Sequence, residues 1–168
     1  MAEMKSIIGI YHSHEKAIEA VRLLQGDDFP ETGISLMGKT NVHHNDLKTT
    51  GDNLLTEGPV TAGLILGPIL GVLTGIGIFA IPGLGFLYGA GALVGALAGL
   101  DFGLVGGGVL SLLTTIGVSE LHHVKLEEHL KKGKVILVAK GNQKQINRAN
   151  EILVDFNQHD ELIHQLLL

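Results

Sequence analysis

The chain has 168 residues, carries a formal net charge of −5 at pH 7 and contains no cysteine. An acidic chain lacks the clustered Lys and Arg that neutralise phosphates, so we expect no nucleic-acid partner. Without cysteine there are no disulfides, thiolate metal ligands or cysteine nucleophiles. The first apolar run is too short for the hydrophobic region of a signal peptide, so we expect no export by that route.

The first 40 residues predict a β-α-β unit. Lys5–Tyr11 is short, rich in isoleucine and bounded by polar residues, which is typical of a strand. Ser13 is the predicted N-cap of a helix that ends near Gly26, and Ile34–Gly38 is a second predicted strand. The apolar face of that helix consists of Ala17, Ile18, Ala20, Val21 and Leu24.

A polar linker, residues 41–57, leads into the glycine-rich stretch Gly58–Val118, in which Asp101 is the only charged residue. Its glycines recur at a step of four, which places them on one face of an α-helix and favours close helix packing. We therefore predict two apolar helices, Pro59–Ala80 and Phe86–Ile116, separated by a break at 81–85. The helix-packing glycines are Gly63, Gly67, Gly71, Gly75, Gly91, Gly95, Gly99, Gly103 and Gly107.

The rest of the chain predicts an amphipathic helix and a second β-α-β unit. Ser119–Lys132 is charged and amphipathic, with Ser119 as a cap. Lys134–Lys140 is a predicted strand, and Asn142 with Gln145 has the spacing of a capping box at the start of a helix. Glu161–Leu168 is the predicted last strand.

Two β-α-β units of this size predict an α+β fold, a ferredoxin-like sandwich into which an apolar glycine-zipper helical hairpin is inserted. Residues 1–40 and 133–168 would form the split ferredoxin-like domain. Residues 41–57 would be a linker, 58–118 the hairpin and 119–132 a short amphipathic helix. In such a fold the second and third strands are neighbours, so a hairpin can leave and return at one place.

Three environments would bury the hairpin. Each predicted helix is long enough to cross a bilayer, which would place the hairpin in the cytoplasmic membrane and the remaining domain in the cytoplasm. Alternatively, hairpins of several copies could form the core of a soluble cytoplasmic assembly, or the hairpin could fold onto its own domain. The glycine periodicity serves all three and does not choose between them.

Asp101 and the histidines are the residues with a candidate chemical role. A carboxylate in an apolar span is costly unless it is paired or hydrated. Asp101 would therefore be an intramembrane proton or ion contact or a polar fastener between subunits, or else it lies near an interface or faces water. The histidines lack metal-site spacing, so we expect solvated surface residues, with metal binding or pH sensing as the alternative. Those considered are His12, His14, His43, His44, His122, His123 and His129.

The segments KSIIGIYHSHEKAIEAV, ISLMGK, AIPGLG, IGVSE and KVILVA, in this order, resemble bacterial general-stress proteins. These are heat- or low-temperature-induced proteins with a glycine-zipper insertion. The resemblance covers nearly the whole chain and implies a stress-associated, membrane-linked protein without enzymatic activity. It supplies no catalytic residue, cofactor or metal ligand. The apolar end Leu166–Leu168 departs from an ordinary free edge strand and suggests a buried or partnered C-terminus.

The sequence thus predicts a structural protein that forms homo-oligomers through its hairpin, in or on a membrane, with itself and membrane lipid as partners. One alternative is a soluble scaffold, such as a cage, tube or filament. Another is a regulatory module that binds a small ligand on its sheet, for which a polar pocket on the sheet face would be the sign.

Overall fold

The computed structural model describes residues 4–40, 73, 76–81, 85–92 and 108–166. Strands and helices are both present, so the predicted α+β class is confirmed. A 3-10 turn, Glu31–Gly33, precedes the second strand. The longer elements are β1 Lys5–Tyr11, α1 His14–Gly26, β2 Ile34–Lys39, β3 Ile76–Ile81, β4 Gly85–Gly91, α2 Gly108–Thr115, α3 Glu120–Lys131, β5 Val135–Gly141, α4 Gln143–Phe156 and β6 Glu161–Leu166.

The strands form one sheet in the order β3-β4-β2-β5-β1-β6, and every neighbouring pair is antiparallel. The four strands predicted from the two β-α-β units lie side by side as β2-β5-β1-β6. Beyond β2 the sheet continues into β4 and β3. These two strands belong to the chain between β2 and β5, residues 40–134, which is called the insertion below.

Both faces of the sheet are covered by helices. On one face, α1 and α4 pack over a core that includes Tyr11, Leu24 and Leu137. On the other face, α2 and α3 of the insertion pack over a second core that includes Ile8, Leu113 and Leu126. The runs of consecutive apolar residues in β1 and β5 follow from this arrangement, because successive side chains of a strand point into opposite cores.

The predicted helix starts are confirmed, with one difference in the capping contacts. The Ser13 hydroxyl accepts a hydrogen bond from the backbone N–H of Lys16 at 3.2 Å. Asn142 and Gln145 form the reciprocal capping box. Ser119 occupies the N-cap position of α3, but its side chain makes no capping hydrogen bond.

The predicted helices Pro59–Ala80 and Phe86–Ile116 are wrong over residues 76–80 and 86–91, where the structure has the antiparallel strands β3 and β4. Ile76, Ile78 and Ile81 are β-branched and favour strands, and β2 offers β4 a row of unpaired backbone groups. These short apolar segments therefore extend the sheet beyond β2 instead of forming helices. Residues 108–115 are helical, as predicted for the end of the second helix.

Gly91 does not serve helix packing. It ends β4 with a φ of +77°, and a Cβ there would lie 2.3 Å from the carbonyl oxygen of Ile34. The position requires glycine because both the backbone conformation and the space exclude a side chain. The other eight predicted glycines, together with Asp101, His43, His44 and the linker 41–57, lie outside the described residues.

No helix within the described ranges is both long and apolar enough to cross a membrane. The longest, α4, is a surface helix of the core with one buried face.

Candidate functional site at the junction with the insertion

Tyr88 of β4 joins the insertion to α1. Its hydroxyl lies 2.8 Å from Nδ1 of His14, the first residue of α1, and the two rings have centroids 5.4 Å apart. Tyr88 has no exposed surface. Burial lowers the pKa of His14, although the nearby Glu15 carboxylate opposes this, and burial raises the pKa of the Tyr88 hydroxyl. Both groups are therefore neutral at pH 7.

A glycine in the neighbouring strand makes room for the Tyr88 ring. Gly38 of β2 is directly opposite Tyr88 in the sheet. A Cβ at Gly38 would lie 2.9 Å from the Tyr88 hydroxyl oxygen and 3.0 Å from a ring carbon. The aromatic ring thus covers a position without a side chain, an arrangement that pins the register of two strands.

A side-chain amide fastens the turn between α2 and α3. Gln165 of β6 accepts a hydrogen bond from the backbone N–H of Ser119 at 3.1 Å and donates one to the carbonyl oxygen of Gly117. The buried His123 donates from Nε2 to the carbonyl oxygen of Val118 at 2.9 Å. These contacts hold the second helical layer in one position on the sheet.

A charged cluster closes the end of the sheet where β1 ends and β6 begins. Asp160 accepts from Lys134 Nζ at 2.8 Å and pairs with His12 Nδ1 at 3.1 Å. The hydrogen bond from Lys134 is the main reason that the pKa of Asp160 is below its ordinary value. The backbone N–H of Asp160 also donates to the carbonyl oxygen of Ile10 at 2.7 Å. The arrangement is structural, since the charged groups flank the ends of strands and pair with one another there.

Glu161 extends this cluster to α3. It forms an ion pair with Lys125, and its other oxygen lies 3.9 Å from Nε2 of His129. Burial is the first cause that lowers the pKa of His129, followed by the charge of Lys134. Nδ1 of His129 is buried and has no hydrogen-bond partner in the part of the chain that the structure describes. His129 is therefore held neutral at pH 7, and protonating it would place an additional charge in this cluster.

The outer face of α3 presents two apolar side chains. Leu121 is 89% exposed and Val124 is 70% exposed. They lie one helical turn apart on the side opposite Leu126 and Leu130, which are buried against the sheet. The sequence shows this feature as apolar residues at a spacing that cannot share one helix face, and the prediction of a simple amphipathic helix missed it.

A cleft of about 410 Å³ opens at the end of the sheet where β4 and β5 finish. Among the described residues that line it, Lys140 is the charged one. Its polar lining includes Thr32, Ser35, Thr115 and Gln145. The cleft lies at the sheet end, between the core and the insertion. The described parts of the two sheet faces are instead apolar and covered by helices.

Four of the described histidines have structural contacts. His12, His14, His123 and His129 contact an aspartate, a tyrosine, a backbone carbonyl and a glutamate, respectively. Within the described ranges, no group of three or more His, Asp or Glu side chains is placed to hold a metal ion. The expectation of solvated histidines is thus wrong for His123, which is buried. Sequence reasoning also missed Tyr88, whose partner lies 74 positions away.

Comparisons with protein-family models, with curated proteins and with solved structures find no match to this chain.

Proposed function

We propose that this chain is a non-enzymatic structural protein that associates with copies of itself through the insertion. Assembly between copies is the central part of the proposal, and attachment to a membrane and a role in the stress response, both suggested by the sequence resemblance, are its further parts.

The observation that carries the proposal is the outer face of α3. Leu121 and Val124 are more exposed than the other large apolar side chains described. Single exposed apolar residues are common on protein surfaces, but here two lie one turn apart on a helix that is fixed at both ends. Lys39 donates to the carbonyl oxygen of Lys131 at one end, and Gln165 holds the other. A rigid apolar surface loses little conformational entropy on binding, which favours association.

We propose further that the core is a ferredoxin-like sandwich. The order β2-β5-β1-β6 with antiparallel neighbours, and one helix in each β-α-β unit on the same face, support this assignment. A two-layer sandwich leaves one sheet face free. In this chain α2 and α3 cover that face. The surface available for contact on this side is therefore the outer side of α3.

The position of β3 bears on the kind of assembly. Residues 76–81 and 85–91 are strands of the sheet, so they are not part of helices that cross a bilayer. Their position favours assembly between copies, with lipid contact at the membrane surface, over a hairpin that crosses the bilayer twice.

Light scattering coupled to size exclusion, with and without a mild detergent, tests the proposal. We expect a mass that is a multiple of the 17.8 kDa chain in both conditions. Flotation with vesicles of anionic and neutral lipids tests the membrane part separately. A monomer in both conditions that also fails to float would contradict the proposal, whereas an oligomer that does not float would retain assembly and exclude membrane attachment.

A further inference from the structure

The contact between His14 and Tyr88 links the core to the insertion through two titratable side chains. The hydrogen bond joins the start of α1 to the middle of β4, and β4 in turn carries β3. Its 2.8 Å length and the 5.4 Å ring separation define a direct contact. No exposed surface remains on Tyr88, so water does not replace His14 as its partner while β4 is in place.

The chemistry of this contact depends on the protonation of His14. A neutral imidazole that carries its hydrogen on Nε2 accepts a hydrogen bond from the Tyr88 hydroxyl at Nδ1. When His14 is protonated, Nδ1 carries its own hydrogen and only donates. The Tyr88 hydroxyl must then turn its hydrogen away from Nδ1 of His14, which is its hydrogen-bond partner among the described residues. Leaving a buried donor without an acceptor is unfavourable.

The surroundings of the pair restrict any rearrangement. The Tyr88 ring lies against Gly38, close enough that even a methyl group at Gly38 would collide with it. A rotation of the ring to find a new partner would therefore displace β4 from β2. Protonation of His14 is thus coupled to the pairing of these two strands.

We propose that His14 and Tyr88 form an acid-sensitive latch that holds the β3–β4 hairpin against the core and loosens when His14 is protonated. With the latch closed, burial makes His14 a weaker base than it is in the open state. The closed state is fully favoured above the ordinary histidine pKa of about 6.5 and loses its advantage as the pH falls below it. Each unit of difference between the two pKa values changes the open fraction about tenfold.

The charged groups around His14 modify this behaviour without reversing it. Glu15 on α1 raises the pKa of His14, but its effect is smaller than that of burial. Lys16 and Glu19, further along α1, pair with each other at 3.2 Å. From β4, Tyr88 is the titratable group that faces His14, and its raised pKa keeps it neutral.

Tyrosine fluorescence provides a direct readout, because the chain has two tyrosines and no tryptophan. In a Tyr11→Phe background, the emission reports Tyr88 alone. We expect the emission to change as the pH falls from 8 to 5, with a midpoint below about 6.5. Adding His14→Gln should abolish the transition, since glutamine does not titrate. Adding His12→Gln is the matched control, because His12 pairs with Asp160 at the surface, and the transition should remain.

Hydrogen exchange locates the opening. Amides of β4 in the natural protein should exchange about five- to tenfold faster at pH 5.5 than at pH 7.5, after correction for intrinsic rates, if the pKa of His14 shifts by at least one unit on closing. Amides of β5 should change much less. Equal exchange of β4 at the two pH values, or a fluorescence transition that survives in His14→Gln, would overturn the latch.

A third measurement does not depend on the folding of the His14 variant. Imidazole NMR titration of Tyr88→Phe should give a higher pKa for His14 than in the natural protein, because the donor to neutral Nδ1 is gone. An unchanged pKa would show that the hydrogen bond does not govern the protonation of His14 and would overturn the proposal.

Discussion

At the scale of single residues, the two tyrosines differ in their hydroxyl groups. Tyr88 has a partner in His14, whereas the hydroxyl of the fully buried Tyr11 has none among the described residues. Burial also raises the pKa of Tyr11, so the group stays neutral and unpaired. A buried polar group without a partner costs stability, and this cost can be removed by a small substitution.

Tyr11→Phe should therefore raise the free energy of unfolding by about 1 kcal/mol, while Tyr88→Phe should lower it. Urea unfolding followed by circular dichroism measures both. A clear loss of stability in Tyr11→Phe would contradict the assignment of an unpaired hydroxyl.

The glycines offer a second comparison between single residues. Gly91 has a positive φ, and a Cβ would collide with the backbone of Ile34. Gly91→Ala should destabilise the fold by about 3 kcal/mol, combining backbone strain and overpacking. Gly26 has no atom within 4 Å of a Cβ at the end of α1. Gly26→Ala should thus be neutral or stabilise by up to about 1 kcal/mol. Similar unfolding midpoints for the two variants would argue against the close approach at Gly91.

At the scale of elements, two of the polar N-caps make different contacts. Asn142 accepts from the backbone N–H of Gln145 at 2.9 Å, whereas the Ser119 side chain makes no such bond. Asn142→Ala should cost about 1 kcal/mol, and Ser119→Ala should cost clearly less. Thermal unfolding of the two variants checks the difference, and equal losses would mean that the capping box contributes no more than an unbonded cap.

Local sequence signals predicted the core elements because each signal depends on neighbouring residues. The strand Lys5–Tyr11 and the capping box at Asn142 are read directly from short segments. The strands β3 and β4 could not be predicted this way. The residues on either side of them follow a helix-compatible glycine period, and the pairing of β4 depends on β2, which lies more than 35 positions earlier. Tertiary contacts outweighed the local pattern here.

The sequence contains a further signal at the scale of elements, the runs of consecutive apolar residues in β1 and β5. Ile7 and Ile8 are consecutive and both fully buried, and the same holds for Val135 through Leu137. Runs of this kind indicate strands that are covered on both faces. They could have predicted the second helical layer of α2 and α3.

At the scale of the whole molecule, two partly buried histidines make the fold sensitive to acid. The pKa values of His14 and His129 are lowered mainly by burial. The unfolded chain therefore takes up protons before the folded one, so the free energy of unfolding is fully present above about pH 6.5 and decreases below it. The lowered pKa of Asp160 has the same direction, but it acts only below the ordinary aspartate pKa of about 3.9.

Urea unfolding between pH 8 and 3 should show these two ranges. We expect a constant free energy above about pH 7, a decrease that starts near pH 6.5, and a further decrease below about pH 4. The variant His129→Gln should reduce the first decrease and leave the second. A free energy of unfolding that stays constant between pH 7 and 5 would contradict the lowered pKa values of the two histidines.

The most direct test of self-association is light scattering on variants of two surfaces, the outer face of α3 and the exposed side of α4. The double variant Leu121→Gln with Val124→Gln removes the apolar outer face of α3. Glutamine is a good helix former, so the helix itself should be retained. Val154→Gln on α4 is the control, since Val154 is also an exposed apolar residue, at 50%, but lies outside the insertion. We predict that the natural protein and the Val154 variant form oligomers of the same mass, and that the double variant shifts toward the 17.8 kDa monomer. A double variant that is folded and has the mass of the natural oligomer, or a natural protein that is monomeric, would contradict this account.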